Sequence, residues 1–291
     1  MRHSEFRAMG TDVVAMGSDV SGVVNWFASA EAVFSRFLPD SELSELNAST
    51  EVEVVVSDSL ASCLNAAQDL RERTDGLVDP AVGAALIGWG YDRTFKQVVD
   101  LEDRPPIAGI ADWSIDGNTV TRPPEAILDL GGIAKGWTCD DVVRRGLADV
   151  VSAGGDVRSV DPETVVKIQD PWGDVAARVL LGQGGLATSS TTRRRWNVAG
   201  AEAHHIIDPR RRAPANSPVF SATISADTAV EAEAGAKAVL LHGEHGLAWA
   251  EKQDWINAAL VIWHDGNVYA TTGWEMAVSW AGMETEYCDE H

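Results

Sequence analysis

Apolar positions recur at two spacings along the chain. Val23, Phe27, Ala30 and Phe34 stand three or four residues apart behind Ser21, which predicts a helix capped by that serine. Leu60, Cys63, Leu64, Ala67 and Leu70 repeat the pattern behind Ser57 or Ser59, with Gly76 just past the end. Further helices are predicted through Ile133, Trp137, Val142, Val143 and Leu147, and from Thr228 to His242 with Gly243 as the stop. Ser41 predicts a second capped turn after Phe34. β-Branched runs predict strands from Arg7 through Met16 and at Glu53 to Val56, Ala126 to Leu130, Asp149 to Ala153, Val165 to Gln169, Ala177 to Leu181 and Val219 to Ser225. Two Asp-Gly-Asn triplets, at Asp116 and Asp265, sit between alternating segments and predict hairpins. Arg93 to Pro106 is polar and reads as a variable loop, and neither a repeat nor a low-complexity linker interrupts the chain.

Composition narrows the class. With 291 residues, 45% hydrophobic and 23% charged, the chain can bury a sizeable core as one large domain or two smaller ones. Its 23 Lys plus Arg against 44 Asp plus Glu give a net charge of -21, which excludes nucleic acid and anionic membrane surfaces as general partners. The arginine triplets at Arg193 and Arg210 therefore read as solvated loops, or as neighbours of a phosphate-bearing small ligand. Cys63, Cys139 and Cys288 are too far apart for zinc spacing or a disulfide framework, and His242 with His245 lacks a third ligand. Met1 to Asp12 carries no secretory pattern, and no run is long enough to span a bilayer as a helix, so a cytoplasmic location is expected.

The candidate chemistry centres on Leu128 to Val142. An apolar strand runs into Gly131-Gly132 and then a helix, a junction that aims backbone N–H groups and a helix dipole at whatever lies beyond it. Asp129 and Lys135 flank the turn. A phosphate loop needs Lys directly after its last glycine, whereas Lys135 precedes Gly136. Two readings remain on these residues: a nucleotide-phosphate site, or an ordinary tight turn.

Asp129-Leu130-Gly131-Gly132-Ile133-Ala134-Lys135-Gly136, followed by Trp137 and Asp140, resembles the signature of the ApbE family, the FAD:protein FMN transferases. Other blocks match in order: Met9-Gly10-Thr11; Phe34-Ser35-Arg36-Phe37 with Ser41-Glu42-Leu43-Ser44 and Leu46-Asn47; Thr74 to Pro80; Trp89-Gly90; Gly154-Gly155-Asp156; and His205 to Pro209. At Leu186 to Thr192 the match loosens, with Ser190 and Thr192 where the family carries glycine and an aromatic. The resemblance covers about Met9 to Gly243. It implies an α+β fold of mixed β-sheets with packed helices, ApbE-like and T-fold-like, with residues 1–291 forming one continuous unit of two subdomains that ends in an acidic tail at 281–291. Many members of the family are exported lipoproteins, a habit from which this N-terminus departs.

The resemblance also implies a reaction. A threonine hydroxyl of a flavin-acceptor protein attacks the FMN phosphorus of FAD and AMP leaves, so FAD is the substrate and the acceptor is the partner. By the same resemblance His205 is the base, and Met9, Phe37, Leu77, Val78, Asp79, Asp129, Lys135 and Ile207 contact FAD. Magnesium would be held by the Gly132 carbonyl and by a helix where the family reads Ala-Asp-x-x-x-Thr; this chain has Glu233 and Lys237 at those two ligand positions. Magnesium takes oxygens at about 2.0–2.1 Å. An ammonium about 4 Å from a divalent cation is repelled by about 8 kcal/mol at an effective dielectric near 20. Either Lys237 swings away, or its ammonium replaces the metal beside Glu233, or the two form an ordinary surface helix pair. Three functions follow: the transferase, an FAD-binding protein without transfer, and an FAD pyrophosphatase giving FMN and AMP.

Overall fold

A computed structural model describes residues 2–103, 109 and 111–274. The acidic tail at 281–291 and Cys288 lie outside the described residues. Its spine is an eight-stranded antiparallel sheet, in the order Arg2–Ala8, Thr11–Gly17, Val150–Ala153, Asp156–Ser159, Gly184–Ser190, Val219–Ala226, Ile256–Trp263 and Val268–Ala270. Smaller sheets stand around it, including the three strands Glu53–Val55, Thr119–Thr121 and Ser114–Asp116. The mixture of sheets and packed helices is the expected α+β class.

The helices are α1 (Val20–Phe34), α2 (Glu42–Ala48), α3 (Asp58–Arg73), α4 (Gly83–Gly88), α5 (Ala134–Arg144), α6 (Ala229–His242) and α7 (Gly246–Ala250). Helix α6 lies against the central strands and α5 packs on α6. Ala232, Ala234, Ala236, Ala238, Val239 and Leu240 are all buried, so α6 has no polar stripe and is a core helix. Its approach to α5 is possible because of Gly136, where a Cβ would stand 2.7 Å from the Ala229 carbonyl oxygen. Asp140 of α5 accepts the N–H groups of Ala229 at 2.8 Å and Val230 at 2.9 Å, which fastens the start of α6 to α5.

Both predicted hairpins form, and α3 takes Ser57 as its cap, accepting from Leu60 N at 3.2 Å. Four local expectations change. The first strand is a hairpin, Arg2–Ala8 with Thr11–Gly17, because Met9 and Gly10 both adopt positive φ, 49° and 70°, as a two-residue turn of this hand requires. Asp19, not Ser21, caps α1, its carboxylate accepting from Gly22 N at 3.0 Å while Ser21 already lies in the first turn. Helix α5 stops at Arg144 and Gly146 turns the chain at φ 68°, so Leu147 packs from beyond the helix.

Ala126 to Leu130 is not a strand. Its backbone groups are held by side chains and a loop. The Asn47 amide clamps both the N–H and the C=O of Leu128, at 2.8 and 2.9 Å, and the Asp129 N–H reaches Pro80 O at 2.8 Å. Buried Arg122 adds a staple, donating to the carbonyls of Leu46, Ser49, Pro123, Pro124 and Ala126.

Candidate active site

A cavity of about 410 Å³ opens between the Met9-Gly10 turn, the loop after α1 and the Gly131 turn, and is lined by Met9, Arg36, Phe37, Tyr91, Asp129, Lys135 and Arg194 among others. Each element delivers its side chain for a local reason. The positive-φ turn puts Met9 at the hairpin tip. Phe37 follows the exit of α1, where Ser41 caps α2 and donates to Ser35 O at 2.5 Å, tying the loop back on itself. Asp129 is fixed by its N–H to Pro80 and by its carboxylate accepting Gly131 N at 2.7 Å.

Arg36 organises the wall. Its guanidinium pairs with Asp129, donates to Tyr91 O at 2.6 Å, and lies over the rings of Phe37 at 4.2 Å and Tyr91 at 5.0 Å. Arg194, itself at φ 54°, donates to the Tyr91 hydroxyl at 3.2 Å. The result is an aromatic wall carrying two guanidinium groups.

Beneath the cavity is a compact charge cluster. Lys135 Nζ lies 2.5 Å from Glu233 Oε1, 3.0 Å from Asp156 Oδ2 and 3.1 Å from Gly131 O. Lys237 Nζ donates to Gly132 O at 3.0 Å and Glu233 Oε1 at 3.1 Å. Glu233 Oε2 accepts the Gly136 N–H at 2.9 Å. Burial pushes the Glu233 carboxyl up, but Lys135, Lys237 and the Gly136 N–H outweigh it and hold the group down, ionised. Burial and the Glu233 charge push Asp156 up. Burial opposes charge on Lys135, yet Asp156 and Glu233 more than compensate. Burial lowers Lys237, with Glu233 offsetting part of the effect.

His205 sits between the strands Ala201–His204 and Ile207–Asp208, outside the cavity lining. Its Nδ1 is buried with no hydrogen-bond partner among the described residues. Burial, then Arg194, His204, Lys237 and Lys135, drives its pKa well below the ordinary histidine value, so the imidazole is neutral. His204 is differently placed: Nε2 bonds to Ala215 O at 2.9 Å and Nδ1 accepts Ile206 N at 3.3 Å, a structural role.

The sequence-predicted residues divide. Met9, Phe37, Asp129 and Lys135 line the cavity, and Gly132, Glu233 and Lys237 meet in the cluster under it. Ile207 is buried behind the wall with Trp89, Tyr91 and Trp196. Leu77 and Val78 are buried and do not line the cavity. Asp79 is spent on structure, accepting from Ala81 N at 2.8 Å and Trp113 Nε1 at 2.9 Å and pairing with Arg71 at 3.0 Å. That turn carries the Pro80 carbonyl that holds Asp129, so Asp79 acts on the site at one remove. Arg36, Tyr91 and Asp156 are not among the sequence-predicted site residues, while Arg194 belongs to a triplet read as a solvated loop or a neighbour of a phosphate-bearing ligand; Arg36 within Phe-Ser-Arg-Phe was the available signal, an arginine flanked by two aromatics. Of the arginine triplets only Arg194 lines the cavity, while Arg195 pairs with Glu202 and Arg210 with Asp208.

The residues present do not fit magnesium. The Gly132 carbonyl and the Glu233 carboxylate, the two oxygens expected to hold it, both accept from the Lys237 ammonium. Among the described residues no group of three or more His, Cys, Asp or Glu is disposed to hold a metal ion.

Comparison with known proteins bears on most of the chain. The model of the ApbE family matches residues 9–260, which extends past Gly243 into the strand Ile256–Trp263. The FAD:protein FMN transferase of Rhodobacter capsulatus is 33% identical over 250 residues, 79% of this chain and 48% of that protein, so the chain spans about half the length of this relative. The FAD:protein FMN transferase of Vibrio cholerae is 32% identical over 248 residues, 75% of this chain and 71% of that protein. Among solved structures, an ApbE protein from Thermotoga maritima superimposes with a TM-score of 0.81 at 26% identity, covering 93% of this chain and 97% of that one. The flavin transferase ApbE from Vibrio cholerae gives 0.79 at 26% identity, covering 94% and 97%. With the family model matched over residues 9–260 and these relatives covering 79% and 75% of its length, the chain belongs to the ApbE family.

Proposed function

We propose that the chain is an FAD:protein FMN transferase, and that the cavity binds FAD. The observation that carries this reading is the cavity lining, with the rings of Phe37 and Tyr91, the guanidinium groups of Arg36 and Arg194 and the Lys135 ammonium; outside that lining His205 adds a neutral imidazole whose Nδ1 is buried with no hydrogen-bond partner among the described residues. A neutral base needs no prior loss of a proton to accept one from a hydroxyl. The fixed cations stabilise the charge that builds on a pyrophosphate as it is cleaved.

In this mechanism Met9, Phe37 and Tyr91 bracket the flavin ring and Arg36 fixes their wall through Asp129. His205 takes the proton of the acceptor threonine hydroxyl. The oxygen attacks the FMN phosphorus, the bond from that phosphorus to the bridging oxygen breaks, and AMP departs with the bridging electron pair. Lys135 and Arg194 offset the charge on the phosphates from the cavity side. No step is routed through magnesium. The acceptor is a protein carrying a target threonine. Among the described residues no helix is long and apolar enough to cross a membrane.

Lys237 at a position where the family carries a metal ligand favours one second reading, FAD binding without transfer. The deciding experiment is incubation with FAD and a protein bearing a flavin-acceptor threonine, followed by a denaturing gel read for covalent flavin fluorescence and an assay for AMP. A fluorescent acceptor band with equimolar AMP is the expected result. Bound FAD with neither product moves the assignment to the binding protein, and AMP released without an acceptor moves it to the pyrophosphatase.

A further inference from the structure

Four charged side chains converge where α5, α6 and the strand Asp156–Ser159 meet: Lys135, Lys237, Asp156 and Glu233. All are largely removed from water, Glu233 the most at 1% exposed. Two positive and two negative charges balance one another, which is the condition under which buried charges persist.

The Lys237 ammonium is held as a cation in a site. It has three N–H donors and three oxygens within reach: Gly132 O at 3.0 Å, Glu233 Oε1 at 3.1 Å and Glu233 O at 3.5 Å. Two of these are backbone carbonyls, on separate elements. The turn is also shaped around the side chain. A Cβ at Gly132 would stand 2.8 Å from Lys237 Cε and 3.3 Å from Cδ, so the lysine stem lies flat on the glycine.

We infer that Lys237 is a covalently attached cation that takes the place of a divalent metal ion beside the phosphate end of the cavity. The inference rests on the reading of this cavity as an FAD site. The charge balance supports it: Glu233 and Asp156 are already neutralised by Lys135 and Lys237, so a divalent ion added here would leave two uncompensated positive charges. Position supports it as well, since the ammonium occupies the space between the Gly132 carbonyl and Glu233 Oε1, at 3.0 and 3.1 Å, that a magnesium ion drawing those two oxygens to about 2.0–2.1 Å would need. Lys237 does not line the cavity; Lys135 does, and both ammonium groups share Glu233 Oε1. Lys237 is therefore a positioning residue. It fixes Glu233 and the Gly132 turn, and thereby the aim of Lys135 into the cavity, with no dependence on an exchangeable ion.

The test uses the full chain, wild type and Lys237→Thr, with FAD binding followed by flavin fluorescence in excess EDTA and then in millimolar magnesium chloride. Wild type binds FAD equally in both, and calorimetric titration of magnesium into it gives no binding heat. Lys237→Thr, which restores a hydroxyl and frees two oxygens, loses about tenfold or more of its FAD affinity in EDTA and regains it with magnesium. Circular dichroism and thermal unfolding first establish that the variant is folded. Wild-type binding that needs magnesium overturns the inference alone, and so does a folded variant that binds FAD normally in EDTA or whose loss magnesium fails to repair. Wild type that binds no FAD under either condition overturns the FAD reading of the cavity, and the inference with it.

Discussion

His204 and His205 are adjacent, yet the backbone gives them different work. Both ring nitrogens of His204 are engaged, while His205 Nδ1 is buried with no partner among the described residues. Replacing His205 with Asn is expected to lower transfer by about 10²–10⁴-fold with FAD affinity retained, measured by covalent flavin on the acceptor. The pH profile follows from the low pKa that burial and the Arg194, His204, Lys237 and Lys135 charges impose. The base stays neutral well below the ordinary histidine value, so the acid limb of the transfer rate falls below about pH 6.5. The linked stability has a definite sign: the unfolded chain takes up a proton near pH 6.5 that the folded site refuses. This contribution is complete above that pH and is lost as pH falls through it towards the folded value. Arg194→Gln removes one of the repelling charges and is expected to move the acid limb upward; an unmoved limb would show that Arg194 does not act on His205. Arg36→Met removes the ion-pair partner of the Asp129 carboxylate, which keeps the Gly131 N–H, and is expected to cost about 1–3 kcal/mol in urea unfolding. His205 stood out as a candidate through its His-x-x-Asp-Pro setting, whereas Arg36 acquires its place by pairing with Asp129 and reaching Tyr91, 93 and 55 residues away along the chain.

Glycines and side-chain clamps position the elements. Gly136→Ala would drive a methyl group to 2.7 Å from the Ala229 carbonyl, a backbone atom that cannot swing aside, and is expected to lower stability by about 1–3 kcal/mol as α5 and α6 separate. Because the same N–H holds Glu233, FAD affinity should fall together with the thermal midpoint. The segment before the Gly131 turn shows where periodicity misleads. Ala126 to Leu130 has the apolar run of a strand, but its partners are Asn47, Arg122 and Pro80 instead of a neighbouring ladder. Asn47→Ala orphans the N–H and C=O of Leu128 and is expected to cost about 2–4 kcal/mol, with loss of order at the turn read by hydrogen exchange. A short apolar run tells of burial and extended backbone; it does not say what accepts the hydrogen bonds.

At the scale of the molecule, the -21 net charge makes the fold self-repelling at low ionic strength. Raising salt from about 0.01 M to 0.15 M shortens the Debye length from about 30 to 8 Å, and the melting temperature is expected to rise; a fall would mean that surface ion pairs outweigh the repulsion. The buried quartet of Lys135, Lys237, Asp156 and Glu233 is shielded from solvent and should contribute little to that response. Most helices, both Asp-Gly-Asn hairpins and the family were legible in the residues alone, because caps, glycine turns and apolar spacing act over a few residues and can be read locally. It took packing across the chain to make Met9 turn a hairpin, to place Asp79 beside the cavity without lining it, and to set the Lys237 ammonium on the oxygens of Gly132 and Glu233. Those outcomes depend on which groups a distant segment leaves unpaired when it packs, and no local spacing encodes that.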